Sequence, residues 1–230
     1  AEVSVLARTP ARLDDVPWRD EVTIHEGGLG DADALLAALR ETDVACHLVH
    51  SMGGSRDFER EERETTEQFV RAVEEAGVER IVHLSGLHPE GEEELSPHLR
   101  SRAEVARIML ESTVPALVIQ AGVVIGSGSA SFEMIRHLTT RLPAMVTPKW
   151  VSNHIQPIAI RDVLHYLSAA TTVPLCGELA HGRAIDVGAP DLLTYGEMMQ
   201  VYAEEAGLRR RVMVPVPVLT PKLSSHWLGL

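Results

Sequence analysis

The sequence predicts an α/β protein, a parallel β-sheet with helices on both of its faces. Two observations predict it. Short apolar, β-branched runs alternate with helical segments of about 10 to 20 residues, the order that βαβ units impose. The helical segments also carry start and stop signals at their ends.

Residues 2–7 (EVSVLA) form the first strand, ended by Arg8-Thr9-Pro10, and residues 21–25 a short second one. Asp31 is a good N-cap for a helix with Leu35, Leu36 and Leu39 on one face. Residues 44–49 (VACHLV) read as a buried strand. Residues 57–76 are a long helix with Phe58, Phe69, Val70 and Val73 facing the core, closed by Gly77, which accepts a left-handed conformation. Residues 80–84 (RIVHL) are the next strand. Ser96-Pro97 are N-cap and first residue of a helix running to Glu111. Residues 116–125 (ALVIQAGVVI) are one further apolar strand. Beyond Gly126 the alternation is irregular: helices at 131–141, 161–170 and 195–206, a strand at 184–187, and a tail broken by Pro215 and Pro217. The stretch GSGSAS at 126–131 reads as a flexible loop entering the helix at Phe132. No internal repeat is visible.

At 230 residues, 45% hydrophobic and 23% charged, the chain has the composition of a globular protein with one domain or a domain and an appendage. With 21 basic and 33 acidic residues the net charge is −12, which argues against general nucleic-acid binding. Residues 57–94 hold 13 acidic and 4 basic residues, read as a solvated helix face and an acidic loop. Cys46 and Cys176 match no metal or redox spacing and read as reduced structural thiols of a cytoplasmic protein, Cys46 as a small buried hydrophobe. Residues 112–132 carry no formal charge. Their apolar part, 114–125, is shorter than the about 20 residues of a membrane span. No signal peptide is visible. The eleven histidines make no HxxxH or HExxH set, so no metal is expected. Gly126-Ser127-Gly128-Ser129 lacks the spacing of a hydrolase nucleophile elbow.

An ordered set of segments resembles the atypical short-chain dehydrogenase/reductases of the NmrA-like, NAD(P)H-binding type. The set comprises VSVLARTPARL, HEGGLGDADAL, VACHLVHSM, AGVERIVHLSGL, VVIGSGSASFEMIRHL and QPIAIRDVLHYL, and covers nearly the whole chain. The resemblance implies a Rossmann-type doubly wound sheet. Residues 1–125 would form the nucleotide-binding core and 126–230 a substrate-side lobe, with 157–188 returning to the core. The family opens with a strand and a G-x-x-G-x-x-G turn. Gly27-Gly28-Leu29-Gly30 stands after the second strand instead. The expectation is therefore a missing first unit of about 25–30 residues, scaled from a βαβ unit of about 30.

The resemblance also implies site residues. Arg8, with Arg12, follows the strand after which dinucleotide folds select their ribose, and a guanidinium there suits the 2′-phosphate of NADP, with NAD the alternative. His50, Ser51 and Met52 would contact the cofactor beyond the third strand, and Leu29, Gly122 and Val123 complete the cofactor set. Ser85 would hydrogen-bond a substrate carbonyl. His98 and Arg102, four apart on one helical face, stand where the family has Tyr and Lys. The implied activity is hydride transfer to or from a small carbonyl, quinone or enone. Departure from the Tyr/Lys pair keeps a non-catalytic NAD(P)-binding regulator or redox sensor as the alternative.

Overall fold

In the computed structural model, which describes residues 1–49, 57–87 and 96–215, strands and helices follow one another from the start. The order begins β1 (Ser4–Ala7), β2 (Thr23–Glu26), α1 (Ala32–Leu39), β3 (Val44–His47), α2 (Phe58–Ala76), β4 (Arg80–Gly86), α3 (Pro97–Leu110) and β5 (Ala116–Ala121). It continues β6 (Val123–Ile125), α4 (Ala130–Arg141), β7 (Ala144–Thr147), β8 (His154–Ile155), β9 (Pro157–Ala159) and α5 (Ile160–Thr172). It closes with β10 (Gly182–Val187), β11 (Leu193–Thr194), α6 (Tyr195–Glu205) and β12 (Val212–Pro215). The chain divides into two units, Ala1–Gln120 with Tyr166–Asp186, and Ala121–His165 with Val187–Leu230.

In the first unit β1 and β2 pair in parallel, and a four-stranded sheet runs β10-β5-β4-β3. β3 and β4 are parallel, in register from Val44↔Arg80 to His47↔His83. The helix ends follow from local chemistry. Asp31 accepts from the Ala34 amide at the start of α1, and Ser96 accepts from Leu99 at the start of α3, with Pro97 behind it. Gly77, at φ +73°, closes α2 in the left-handed region. α1 packs on α2 and α2 on α3. Their inner faces supply Leu35, Leu39, Phe69, Val70, Val73, Val105 and Met109 to a core that Ala45, Ile81 and Ala116 complete from the strands. The outer faces of α2 and α3 carry the acidic residues; the two helices are cross-linked at the surface through Arg63–Glu104 and Arg100–Glu59, and by a hydrogen bond from buried Ser101 to Glu62.

The second unit contains three two-stranded pairings: β6 with β9 and β7 with β12, both parallel, and β8 with β11, antiparallel. α4 and α6 enclose a core of Ile135, Met145, Met198 and Met199. Arg211 is buried there; its Nε donates to the Thr139 carbonyl in the last turn of α4, where a cation complements the helix dipole.

Several expectations change. Residues 116–125 are two strands rather than one. The chain turns at Gly122, where a Cβ would overlap the carbonyl oxygen of Gln156, so the backbones meet only because that residue is glycine. The strand at 44–49 ends at His47, and Leu48 and Val49 are exposed. Cys46 is exposed rather than buried, because the pleat turns it away from the face of Ala45 and His47. The stretch at 126–131 is tied: Ser129 Oγ donates to the Val124 carbonyl and caps α4 by accepting from Phe132. Among the described residues no helix is long and apolar enough to cross a membrane, and no three His, Cys, Asp or Glu side chains are grouped to hold a metal ion.

Candidate functional site

Ligands of open α/β sheets bind beyond the carboxyl ends of the strands, and in the first unit three of the expected residues stand there. Ser85 is the penultimate residue of β4 and is 5% exposed. Its Oγ is buried and has no hydrogen-bond partner among the described residues. A buried hydroxyl left without a partner costs about 1–3 kcal/mol of desolvation.

Arg102 reaches the same strand end from α3. Its Nη1 lies 2.9 Å from the position a Cβ on Gly86 would take, so the guanidinium rests over the residue that follows Ser85. It makes no ion pair among the described residues. A guanidinium at a strand end can stabilise an oxygen that gains negative charge. His98, one turn earlier on α3, is exposed. Its ring stacks on Phe58 at the start of α2, with centroids 4.8 Å apart and planes inclined by 28°.

Arg8 follows β1 and is exposed, and it too forms no ion pair among the described residues. The stem of its side chain lies along the loop after β2, with Cγ 3.1 Å and Cδ 3.3 Å from where a Cβ on Gly28 would be. That leaves the guanidinium available to an anion, and a phosphate is the geometry it matches in two parallel bonds. Arg12 is exposed in the 3-10 turn Pro10–Leu13. Leu29 packs its side chain against the core, so a cofactor contact there would fall to its backbone. His50, Ser51 and Met52 lie outside the described residues.

Gly122 and Val123 belong to the second unit, and their amides are already used. Gly122 donates to Val187 O (3.2 Å) and Val123 to Gln156 O (3.1 Å). The absence of a side chain at Gly122 is thus explained by the approach of Gln156.

Sequence reasoning missed a pair of buried histidines. His47 and His83 face each other across β3 and β4, each 4% exposed, with Nδ1 atoms 3.2 Å apart. Burial, with the neighbouring His83 second, pushes His47 down to about 3. The signal was present: VACHLV and RIVHLS each place a His-Leu step at the end of an apolar run, and the parallel register brings the two histidines level.

The comparisons with known proteins agree with this architecture. The model of the family described as NAD(P)H-binding matches residues 1–116. No curated protein matches the chain in sequence. Among solved structures, MoeE5 in complex with UDP-glucose and NAD superposes with a TM-score of 0.72 at 18% identity, over 94% of this chain and 77% of that one. The Citrobacter sp. triphenylmethane reductase complexed with NADP(H) gives 0.71 at 16% identity, over 98% and 73%. A double mutant of the dTDP-glucose 4,6-dehydratase DesIV from Streptomyces venezuelae, with NAD and DAU bound, gives 0.70 at 18% identity, over 99% and 81%. At such identities these likenesses show the fold, a Rossmann-type α/β architecture. Since the family model spans half of its length, the chain belongs to the NAD(P)H-binding family.

Proposed function

We propose that the protein is an NADP-dependent oxidoreductase of the NmrA-like, atypical short-chain branch, acting on a small carbonyl, quinone or enone. The observation that supports this reading is the buried hydroxyl of Ser85 near the end of β4, which has no hydrogen-bond partner among the described residues, with the Arg102 guanidinium reaching the next residue of the strand, Gly86. The nicotinamide, when bound, supplies or accepts the hydride. Ser85 donates a hydrogen bond to the acceptor oxygen and orients it. Arg102 stabilises the negative charge that the oxygen gains as hydride reaches the carbon. His98 delivers the proton that completes the alcohol or hydroquinone; to do so it must leave the Phe58 ring. Arg8, with Arg12, holds the 2′-phosphate, and His50, Ser51 and Met52 contact the rest of the cofactor. In this reading residues 1–125 form the nucleotide-binding core, 126–230 the substrate side, and 157–188 return to the core.

A second reading, a non-catalytic NAD(P)-binding regulator or redox sensor, is favoured by His98 being exposed and stacked on Phe58 rather than turned to Ser85. NADPH oxidation by the full chain against a panel of quinones, enones and aldehydes separates the two. The oxidoreductase reading expects turnover that falls about 10- to 100-fold in Ser85→Ala, the loss of one oriented donor. Tight NADPH binding with no turnover on any of them supports the sensor.

A further inference from the structure

The His47–His83 pair has a defined direction. His83 Nδ1 lies 3.0 Å from the carbonyl oxygen of His47 and 3.2 Å from His47 Nδ1. A carbonyl oxygen only accepts, so the contact with the His47 carbonyl is a hydrogen bond in the tautomer that carries the hydrogen on His83 Nδ1, and in that tautomer His83 is the donor to both. His47 Nδ1 then accepts. The neutral ring of His47 keeps its own hydrogen on Nε2, which is buried with no partner among the described residues.

The position of the pair gives it a role. His47↔His83 is the last matched position of β3 with β4. Past it β3 stops and Leu48 and Val49 are 55% and 56% exposed, whereas β4 runs on to Ser85 and Gly86. The two strands therefore fork immediately beyond the histidines. Ser85 lies two residues after His83, on the same side of the pleat. His83 adds a side-chain rung from β4 to a main-chain carbonyl of β3 at the point of the fork. The accepting ring of His47 is itself packed on Phe69, with centroids 4.8 Å apart.

We propose that His83 is a positioning residue of the Ser85 site: its Nδ1–H, shared by the carbonyl and imidazole of His47, clamps the end of β4 to β3 and so sets where the Ser85 hydroxyl points. The proposal rests on the reading of Ser85 as the group that orients the acceptor oxygen. A misplacement of a reacting group by about 1 Å lowers turnover by up to about 100-fold.

Two measurements on the full chain test it. Nitrogen-15 NMR of the histidine rings is expected to show the hydrogen of His83 on Nδ1 and that of His47 on Nε2; a His83 ring protonated at Nε2 alone overturns the clamp. Kinetics with NADPH and phenanthrenequinone then compare His83→Phe with His83→Asn, which keeps an N–H near the Nδ1 position. The expected result is a kcat about tenfold lower in His83→Phe, with KM for NADPH within about twofold, and recovery to within about threefold in His83→Asn. Equal kcat in both variants and the unaltered chain, or equal losses that follow their melting temperatures, overturns positioning and leaves a structural contact. Absence of turnover in the unaltered chain overturns the oxidoreductase reading, and the positioning role with it, while the NMR result still decides the hydrogen bond.

Discussion

Arg102 occupies space that Gly86 leaves open, its Nη1 2.9 Å from where the Cβ of any other residue would stand. The contact involves the far end of a flexible side chain, and Gly86 has an ordinary backbone conformation, so alanine fits if the guanidinium swings aside. Gly86→Ala is therefore expected to change unfolding free energy by less than about 1 kcal/mol while lowering kcat about tenfold. Denaturant melts and NADPH oxidation measured on the same preparations check it. An unchanged kcat removes Arg102 from the reaction.

Gly122 is the opposite case. The atom its Cβ would overlap is the main-chain oxygen of Gln156, which also accepts from the Val123 amide at 3.1 Å. Backbone held in a parallel pairing cannot step back, so Gly122→Ala is expected to destabilise the protein by about 2–4 kcal/mol. Gly30 has nothing within 4 Å of its Cβ position and no positive φ. Gly30→Ala is thus expected to be neutral or to stabilise by about 0.4–1 kcal/mol. Urea midpoints of the two variants should fall on opposite sides of the parent, or Gly30→Ala should coincide with it.

The same pair of glycines shows what could be read in advance. Helix boundaries were legible because their determinants are local: Asp31, Ser96 with Pro97, and Gly77 each act on amides or carbonyls within one turn. The break at Gly122 was not legible, because its cause is a carbonyl 34 residues further along the chain. The pairing of β7 with β12 has the same origin, since Val212–Pro215 pairs with Ala144–Thr147, far away in the chain. Within the site, Ser85 was legible from its place at a strand end. The orientation of His98 depended on Phe58 of another helix, and the facing of Cys46 depended on where β3 begins its pleat. Spacing along one chain reports neighbours on one element; it does not report which residue of a second element fills the space between them.

Stability should depend on pH through His47. In the fold its imidazole is pushed from 6.5 down to about 3, chiefly by burial, so between those values the unfolded chain binds the proton and the folded one does not. The contribution is whole above pH 6.5 and is lost as pH falls towards 3. At about 1.4 kcal/mol per pH unit, the expected loss between pH 7 and pH 5 is about 2 kcal/mol. Glu74 and Glu104 are also shifted, downwards, by the Thr113 amide and by Arg107 respectively. Their contributions are lost only as the pH falls below the ordinary glutamate range, so they do not enter this window. Urea unfolding at pH 7 and pH 5 measures the slope, and His47→Phe should flatten it. An equal slope in that variant places the titration elsewhere.

Arg8 is the residue on which the choice of cofactor should turn. Its stem is laid along the loop at Gly28, with Cγ and Cδ 3.1 and 3.3 Å from the Cβ position, and among the described residues its guanidinium pairs with no carboxylate. A phosphate accepts two parallel bonds from such a group, and a ribose hydroxyl has no charge to offer it. Arg8→Asp reverses the preference in both respects: it repels the 2′-phosphate and can accept from the 2′-hydroxyl. The expected outcome is a loss of about 10- to 100-fold in NADPH affinity, corresponding to about 1.4–2.8 kcal/mol, with NADH affinity equal or improved. Arg8→Lys should recover only part of the loss, because an ammonium keeps the charge and gives up the paired geometry. Titration calorimetry with both cofactors on the three forms of the protein checks this. NADPH and NADH weakened equally by Arg8→Asp would mean that the guanidinium supports the loop at Gly28 rather than reading the ribose.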